Sequence, residues 1–240
     1  MVLVEWVLEV YVGTGGWAYL PTDAEDKLKA YSRLFSFVEV NTTFYHYPRF
    51  STVRSWRRRV PKDFTFSVKC HRDATHVNGL RPVEQTFQSL ERMFQVCRLL
   101  RSDILVLQTP AWMTFDDEAI ESIGTTLQNL TPPGVRLAWE VRRPRGRAIP
   151  AKLHDMMADL NIARVVDLTR EDLPESGDLL YSRLFGRSGG LNPFSNGEIE
   201  EIYGRLSSSR VRRAYLAFHG AKMYEDADKF NMLKHISTSL

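Results

Sequence analysis

Eight short apolar runs of strand type recur along the 240-residue chain, at residues 10–14, 37–41, 64–70, 104–108, 136–141, 163–167, 180–185 and 214–219. Their starts are separated by 27, 27, 40, 32, 27, 17 and 34 residues, about the length of one strand followed by one helix. Helical patterns fill most of the gaps. They run from Thr22 or Asp23 to residue 34, near 52–59, from Pro82 and Glu84 to 100, and over 116–130, 150–160, 196–206 and 223–236. In the third of these, Phe87, Leu90, Phe94 and Cys97 recur at helical spacing. The 17-residue interval has no room for a full helix, and Thr-Arg-Glu-Asp-Leu-Pro (169–174) reads there as one turn or a loop. The expected fold is therefore α/β: a TIM-type (β/α)8 barrel with a shortened or missing sixth helix. A doubly wound sheet would usually need fewer strands.

No low-complexity tract or linker interrupts the pattern. The turn-rich stretch 188–197 follows the seventh strand, where a barrel carries a loop at its mouth, so a single domain over 1–240 is expected. At 43% hydrophobic and 25% charged residues, the chain can bury a large core. The 32 Lys and Arg against 29 Asp and Glu give a net charge of +3, which permits a local basic surface without requiring a nucleic-acid partner. Cys70 and Cys97 are too few for a disulfide framework, so a reducing, cytoplasmic setting is expected. The apolar start has no basic region and is interrupted by Glu5 and Glu9, so it is not read as a signal peptide. No stretch approaches membrane-span length, so no membrane partner is expected. Nothing in the chain bears on oligomeric state.

Side chains alternate along a strand, so one parity faces the helices and the other the barrel interior. Placing Val38 and Val40 toward helices turns Glu39 and Asn41 inward. Placing Phe64, Phe66, Val68 and Cys70 outward turns Ser67, Lys69 and His71 inward. The same rule brings in Gln108, then Glu140 and Arg142 with Leu137, Trp139 and Val141 outward, then Asp167, Arg183 and His219. Each of these inward polar residues sits at or near the C-terminal end of its strand, the face where barrel enzymes bind substrate. The alternative is an ion network in which Lys69, Arg142 and Arg183 balance Glu39, Glu140 and Asp167. Such a network would cost several kcal/mol of desolvation per ion and is seldom kept for stability alone.

Six motifs occur in order: Val-Gly-Thr-Gly-Gly-Trp-Ala-Tyr (12–19), Val-Glu-Val-Asn-Thr-Thr-Phe-Tyr (38–45), Phe-Thr-Phe-Ser-Val-Lys (64–69), Leu-Gln-Thr-Pro (107–110), Trp-Glu-Val-Arg (139–142) and Arg-Leu-Phe-Gly (183–186). Each is weak alone, but together the chain resembles the domain of unknown function 72 (YecE-like) family over essentially its whole length. The resemblance implies a TIM barrel and a pocket at Asn41, Tyr45, Lys69, Gln108, Glu140, Arg142, Asp167 and Arg183. It implies no reaction. Two positions depart from the family pattern: Phe185 stands where a His is usual, and His219-Gly220 where an Asn pair closes the eighth strand.

Gly-Thr-Gly-Gly-Trp (13–17) could cradle an anion on backbone N–H groups, or could be a tight turn; it lacks dinucleotide and P-loop spacing. Residues 49–59 carry five arginines and Trp56, which reads first as a solvated helix face with the ring packed inward and second as a phosphate-binding face. Arg-Arg-Pro-Arg-Gly-Arg (142–147) follows the fifth strand and is the stronger anion candidate. Trp6 is read as a cap on the barrel bottom. His71, His76 and His219 with Glu39, Glu140 and Asp167 form a conceivable divalent-metal set, but no ligand spacing supports it and the nearby cations oppose it, so no cofactor is expected. Cys70 and Cys97 read as buried apolar residues rather than nucleophiles.

The leading functional expectation is an enzyme acting on a phosphate-bearing substrate, first a nucleic-acid phosphodiester, as a nuclease-like hydrolase. Arg142, Arg183 and Lys69 would stabilise phosphate charge, Glu140 or Asp167 would be the base, and His219 the acid. Glu39, Asn41, Tyr45, Gln108 and Trp17 would contact substrate, with Tyr47 and Trp112 as further rim aromatics. The alternatives are a metal-free enzyme for a small sugar or carbonyl substrate using Lys69 and Glu140, and a non-catalytic module binding nucleic acid or a metabolite.

Overall fold

Parallel strands alternate with helices throughout the computed structural model, which describes residues 8–144, 148–174 and 177–238. The strands are β1 Glu9–Thr14, β2 Phe37–Val40, β3 Thr65–Lys69, β4 Ile104–Thr109, β5 Arg136–Val141, β6 Ala163–Val166, β7 Leu179–Leu184 and β8 Arg213–Phe218. They close into a barrel in sequence order. The helices are α1 Lys27–Tyr31, α2 Phe50–Arg58, α3 Glu84–Leu100, α4 Asp117–Leu130, α5 Ala151–Asp159, α6 Asn196–Ser207 and α7 Met223–Thr238. Among the described residues no helix separates β6 from β7, as the short interval predicts. No helix of the described residues is long and apolar enough to cross a membrane. Trp6, at the start of the chain, lies outside the described residues.

By its internal contacts the chain divides into two compact units, Met1–Val38 with Val166–Leu240, and Glu39–Val165. In the first unit, strand register builds side-chain layers. Tyr11 pairs with Tyr215 and Tyr215 with Tyr181, and their rings stack at 4.9 and 5.9 Å, with Phe37 edge-on to both Tyr181 and Tyr215. Two residues further along, Gly13, Ala217 and Arg183 share a row. Arg183 is the buried polar member of that row. Gly13 must be glycine, since a Cβ there would lie 1.9 Å from the Phe37 carbonyl oxygen.

In the second unit, α3 lays Leu90, Met93, Phe94, Val96, Cys97 and Leu100 into the core and ends at Arg101 in the left-handed conformation (φ 57°). Trp139 is fully buried and donates its indole N–H to Thr109 Oγ1 at 3.1 Å, which satisfies the polar atom that so large a ring brings inside.

Several boundaries differ from expectation, each for a local reason. Thr22 accepts from the Ala24 N–H in a turn of its own, so α1 starts only at Lys27, where Asp26 caps it by accepting from Lys29 N. That helix stops at Tyr31, not at residue 34, and Leu34 is exposed. The helix expected near 52–59 runs over Phe50–Arg58, starting two residues earlier. Two turns went unforeseen: a 3-10 turn at Thr42–Phe44 and a π turn at Asp73–Val77. Asn41, Asp167, Phe185 and His219 each fall one residue beyond the strand that delivers them.

Candidate functional site

In the second unit, the ends of β3, β4 and β5 carry polar side chains, and those of β4 and β5 are joined. Gln108 and Glu140 are register partners, and Gln108 Nε2 donates to Glu140 Oε2 at 2.7 Å. The other carboxylate oxygen accepts from Arg142 Nε at 2.8 Å. Strand alternation puts Glu140 and Arg142 on one parity with Val141 between them, but Arg142 lies past the end of β5 and its side chain is 46% exposed. The sequence expectation that it points into the barrel is corrected on this ground: it is a rim residue that reaches back to Glu140.

Lys69, at the end of β3, is buried, with Nζ 4.3 Å from the centroid of the Phe44 ring. That ring is delivered by the 3-10 turn, which Thr43 pins through its hydroxyl, 2.7 Å from Val40 O and 2.6 Å from Lys69 O. An ammonium over a ring face is held by the ring quadrupole. His76, on the π turn, packs edge-on against the same ring at 4.9 Å. Its pKa is lowered, first by burial and then by the positive charges of Lys69, Arg142 and Arg72, against a weaker opposing pull from Glu140. Tyr45 is exposed and stands edge-on to Phe44, Asn41 is half-buried at the start of the 3-10 turn, and Glu39 is fully buried on β2.

His71 is committed elsewhere. It stacks on Tyr47 at 3.7 Å, and its Nδ1 accepts from the Asp73 N–H, while the Tyr47 hydroxyl reaches Asp73 and Ser89 at 3.0 and 2.9 Å. Burial lowers its pKa, which the Asp73 carboxylate partly offsets. Tyr47 is therefore a packed network member rather than the exposed rim aromatic expected. Trp112, 68% exposed, does match that description. The arginines of α2 follow the solvated-face reading: Arg49, Arg54, Arg58 and Arg59 are exposed, and Arg57 is tied to Phe64 O and Pro61 O.

In the first unit, Phe185 stacks on His219 at 4.8 Å and the Arg183 guanidinium lies 5.5 Å from the Phe185 centroid. Asp167 is fully engaged by its surroundings. Its Oδ1 accepts from Thr169 N and Oγ1 at 3.0 and 2.6 Å, and its Oδ2 accepts from Phe185 N at 3.1 Å. Burial raises its pKa, and these hydrogen bonds pull it back. Trp17 is half-buried after β1. In the glycine-rich loop, Thr14 N donates to the Tyr31 hydroxyl at 2.8 Å and Gly15 N to Phe218 O at 3.0 Å. Two of the loop's N–H groups are thereby spent on internal bonds, which favours the tight-turn reading.

Among the described residues, no group of three or more His, Cys, Asp and Glu side chains is placed to hold a metal ion. The histidine–carboxylate set considered from sequence is not assembled. Residues 145–147, including Arg145 and Arg147 of the basic run, lie outside the described residues. The sequence offered His76 only as a metal candidate and passed over Phe44, because their meeting depends on the π and 3-10 turns, which hydrophobic periodicity does not signal.

The molecule is a TIM-type parallel barrel whose strand C-termini carry a positioned carboxylate and buried or rim cations. It belongs to the family described as protein of unknown function DUF72, whose pattern matches residues 11–238. The chain is 31% identical to the UPF0759 protein YunF of Bacillus subtilis (strain 168) over 126 residues, 46% of this chain and 43% of that protein, so the match spans less than half the relative's length. A DUF72 family protein of Thermotoga maritima superposes with TM-score 0.74 at 23% identity, covering 95% of this chain and 99% of that one. The same fold recurs in endonuclease IV of Thermus thermophilus (TM-score 0.55, 12% identity, 96% and 100% covered). It recurs too in D-psicose 3-epimerase of Clostridium cellulolyticum (TM-score 0.57, 11% identity, 95% and 98% covered).

Proposed function

We propose that this protein binds a phosphate-bearing substrate at the C-terminal ends of β3–β5, with nucleic acid as the substrate class and phosphodiester hydrolysis as the reaction. The observation that carries the reading is the buried Lys69 ammonium over Phe44, on the strand next to the β4–β5 pair whose Glu140 holds Arg142 at the rim. A site with one cation buried and another at its rim suits a ligand that brings negative charge.

In this reading Lys69 and Arg142 take phosphate oxygens. Glu140, held by Gln108 and Arg142, is the base, in preference to Asp167, whose oxygens already serve backbone and Thr169 donors. Within the same unit, Glu39, Asn41 and Tyr45 are assigned to substrate contact. The barrel fold itself does not choose between chemistries, since a nuclease and a sugar epimerase both use it. The placement of Lys69 over Phe44 favours a charge-holding role over a nucleophilic amine.

Fluorescence anisotropy with short oligonucleotides at several salt concentrations tests the reading. Binding should weaken with salt, and Arg142→Ala with Arg143→Ala should lower the slope by roughly 0.7–0.9 per phosphate contact removed. A parallel gel assay with Mg²⁺, Zn²⁺ and chelator scores cleavage. Absence of binding at low salt would reject the nucleic-acid reading in favour of the small sugar or carbonyl substrate, which borohydride trapping on Lys69 examines directly. Binding without cleavage under every ion would make the protein a binding module.

A further inference from the structure

Beside the polar cluster, residues 111–115 after β4 and residues 141–144 and 148–150 at and after the end of β5 line an open cavity of about 380 Å³. They run side by side because Thr109 and Val141 are register partners at the ends of the two strands. Trp112, Met113, Phe115 and Ile149 supply most of its apolar wall, and Arg142 and Arg143 stand at its edge. The wall is anchored from behind: Phe115 packs edge-on against the buried Trp139 at 5.9 Å, and Met113 lies against Gly79. Trp112 is the exception, since it lines the cavity yet remains 68% exposed.

Trp112 is a large ring left open beside a cavity on an anchored wall, with two guanidinium groups at hand, one of them bonded to Glu140. A purely apolar occupant would offer Arg142 and Arg143 nothing of opposite charge. A free phosphate would leave Trp112 and Met113 uncovered. An occupant that is planar and aromatic at one end and anionic at the other satisfies both. The volume sits at the low end for ligand clefts, enough for one ring system with its sugar.

We infer that this cavity is a base-binding subsite, which takes one nucleobase of a single-stranded nucleic acid stacked on Trp112 while the adjoining phosphate lies at Arg142 and Arg143. The inference rests on the phosphate reading above and adds what that reading lacks, a reason for single strands over duplexes. A base inside a duplex is stacked on its neighbours and cannot enter, whereas an unpaired base has a free face for the indole.

The test uses the full chain and two labelled strands of about ten nucleotides, a length within one ordinary single-strand site. One is oligothymidylate and the other is its abasic counterpart with the same number of phosphates. The intact strand should bind about tenfold more tightly than the abasic one, as expected for one stacked base. Trp112→Ala should bring the intact strand down to the abasic level and leave the salt slope unchanged, while Trp112→Phe keeps most of the difference. Because Trp112 is largely exposed, both variants should melt with the wild type, which separates loss of stacking from loss of fold. Equal binding of both strands, unmoved by Trp112→Ala, would overturn the subsite and leave the phosphate reading standing. Failure of both strands to bind at low salt would remove the phosphate reading, and the subsite with it.

Discussion

Gln108 and Glu140 face each other across the β4–β5 ladder, and the amide of the first donates to the carboxylate of the second at 2.7 Å. Arg142 Nε holds the remaining oxygen at 2.8 Å. A carboxylate fixed from both sides by donors is kept in one rotamer, which is what a general base requires before substrate arrives.

Replacing Glu140 by Gln removes the charge and keeps the shape. Cleavage, where the gel assay detects it, should fall by about 10²–10⁴-fold, the usual worth of a positioned base. Oligonucleotide affinity should hold or rise, because the variant frees Arg142 from its carboxylate. Stability should shift by no more than about 1 kcal/mol, since the Glu140–Arg142 pair is partly exposed. A large loss of affinity in anisotropy would show instead that Glu140 binds substrate or holds the local fold.

Two glycines give opposite expectations for one substitution. At Gly13 a Cβ would lie 1.9 Å from the Phe37 carbonyl oxygen and 2.6 Å from its carbon, backbone atoms that cannot rotate away. Gly13→Ala should cost more than about 3 kcal/mol or prevent folding. Gly204 lies inside α6 with no atom within 4 Å of its Cβ position, so Gly204→Ala should stabilise by about 0.5–1 kcal/mol. Thermal melts of the two variants beside the parent check both signs.

The barrel was readable because its information is periodic. Eight apolar runs at βα spacing mark the strands, and the short sixth interval marks the missing helix; Lys69, Gln108 and Glu140 follow from alternation alone. Arg142 keeps the parity of Glu140, but it stands one residue past the end of β5 and so lies at the rim. Helix starts set by a side-chain cap were harder, since Thr22, Asp23 and Asp26 are all capping residues and only Asp26 finds a helical N–H at the right distance. Phe44 and its contact with His76 were out of reach, because no pattern in the chain announces a π turn after β3 or a 3-10 turn after β2.

Alkaline conditions should destabilise the fold through buried acids. Burial pushes the Tyr47 and Tyr224 hydroxyls from an ordinary value of 10.0 up to about 12, and the Cys70 thiol from 9.0 up to about 12; Tyr31 and Cys97 are raised further. Above pH 9 and then 10 the unfolded chain gives up protons that the native state retains. Stability is therefore full below pH 9 and falls as pH rises toward 12. Urea midpoints measured across that range should drop steadily, and a flat profile would contradict the burial of these groups. The two thiols should also resist alkylation at pH 8 until the chain unfolds.

Asp167 is the sharpest case for separating architecture from chemistry. Its carboxylate accepts Thr169 N and Oγ1 on one oxygen and Phe185 N on the other, so it ties the loop after β6 to the end of β7 and fixes the residue that stacks on His219. Asparagine offers only one acceptor oxygen, and its NH₂ must face an N–H or O–H donor in either orientation. Asp167→Asn should therefore cost about 1–3 kcal/mol, the penalty for a buried donor left unmet. For a chain of this size that lowers the melting temperature by about 2–12 °C. Oligonucleotide affinity and salt slope should stay near the parent values. If cleavage vanished while the melting temperature held, Asp167 and not Glu140 would be the base, and the hydrogen bonds around it would be its means of positioning.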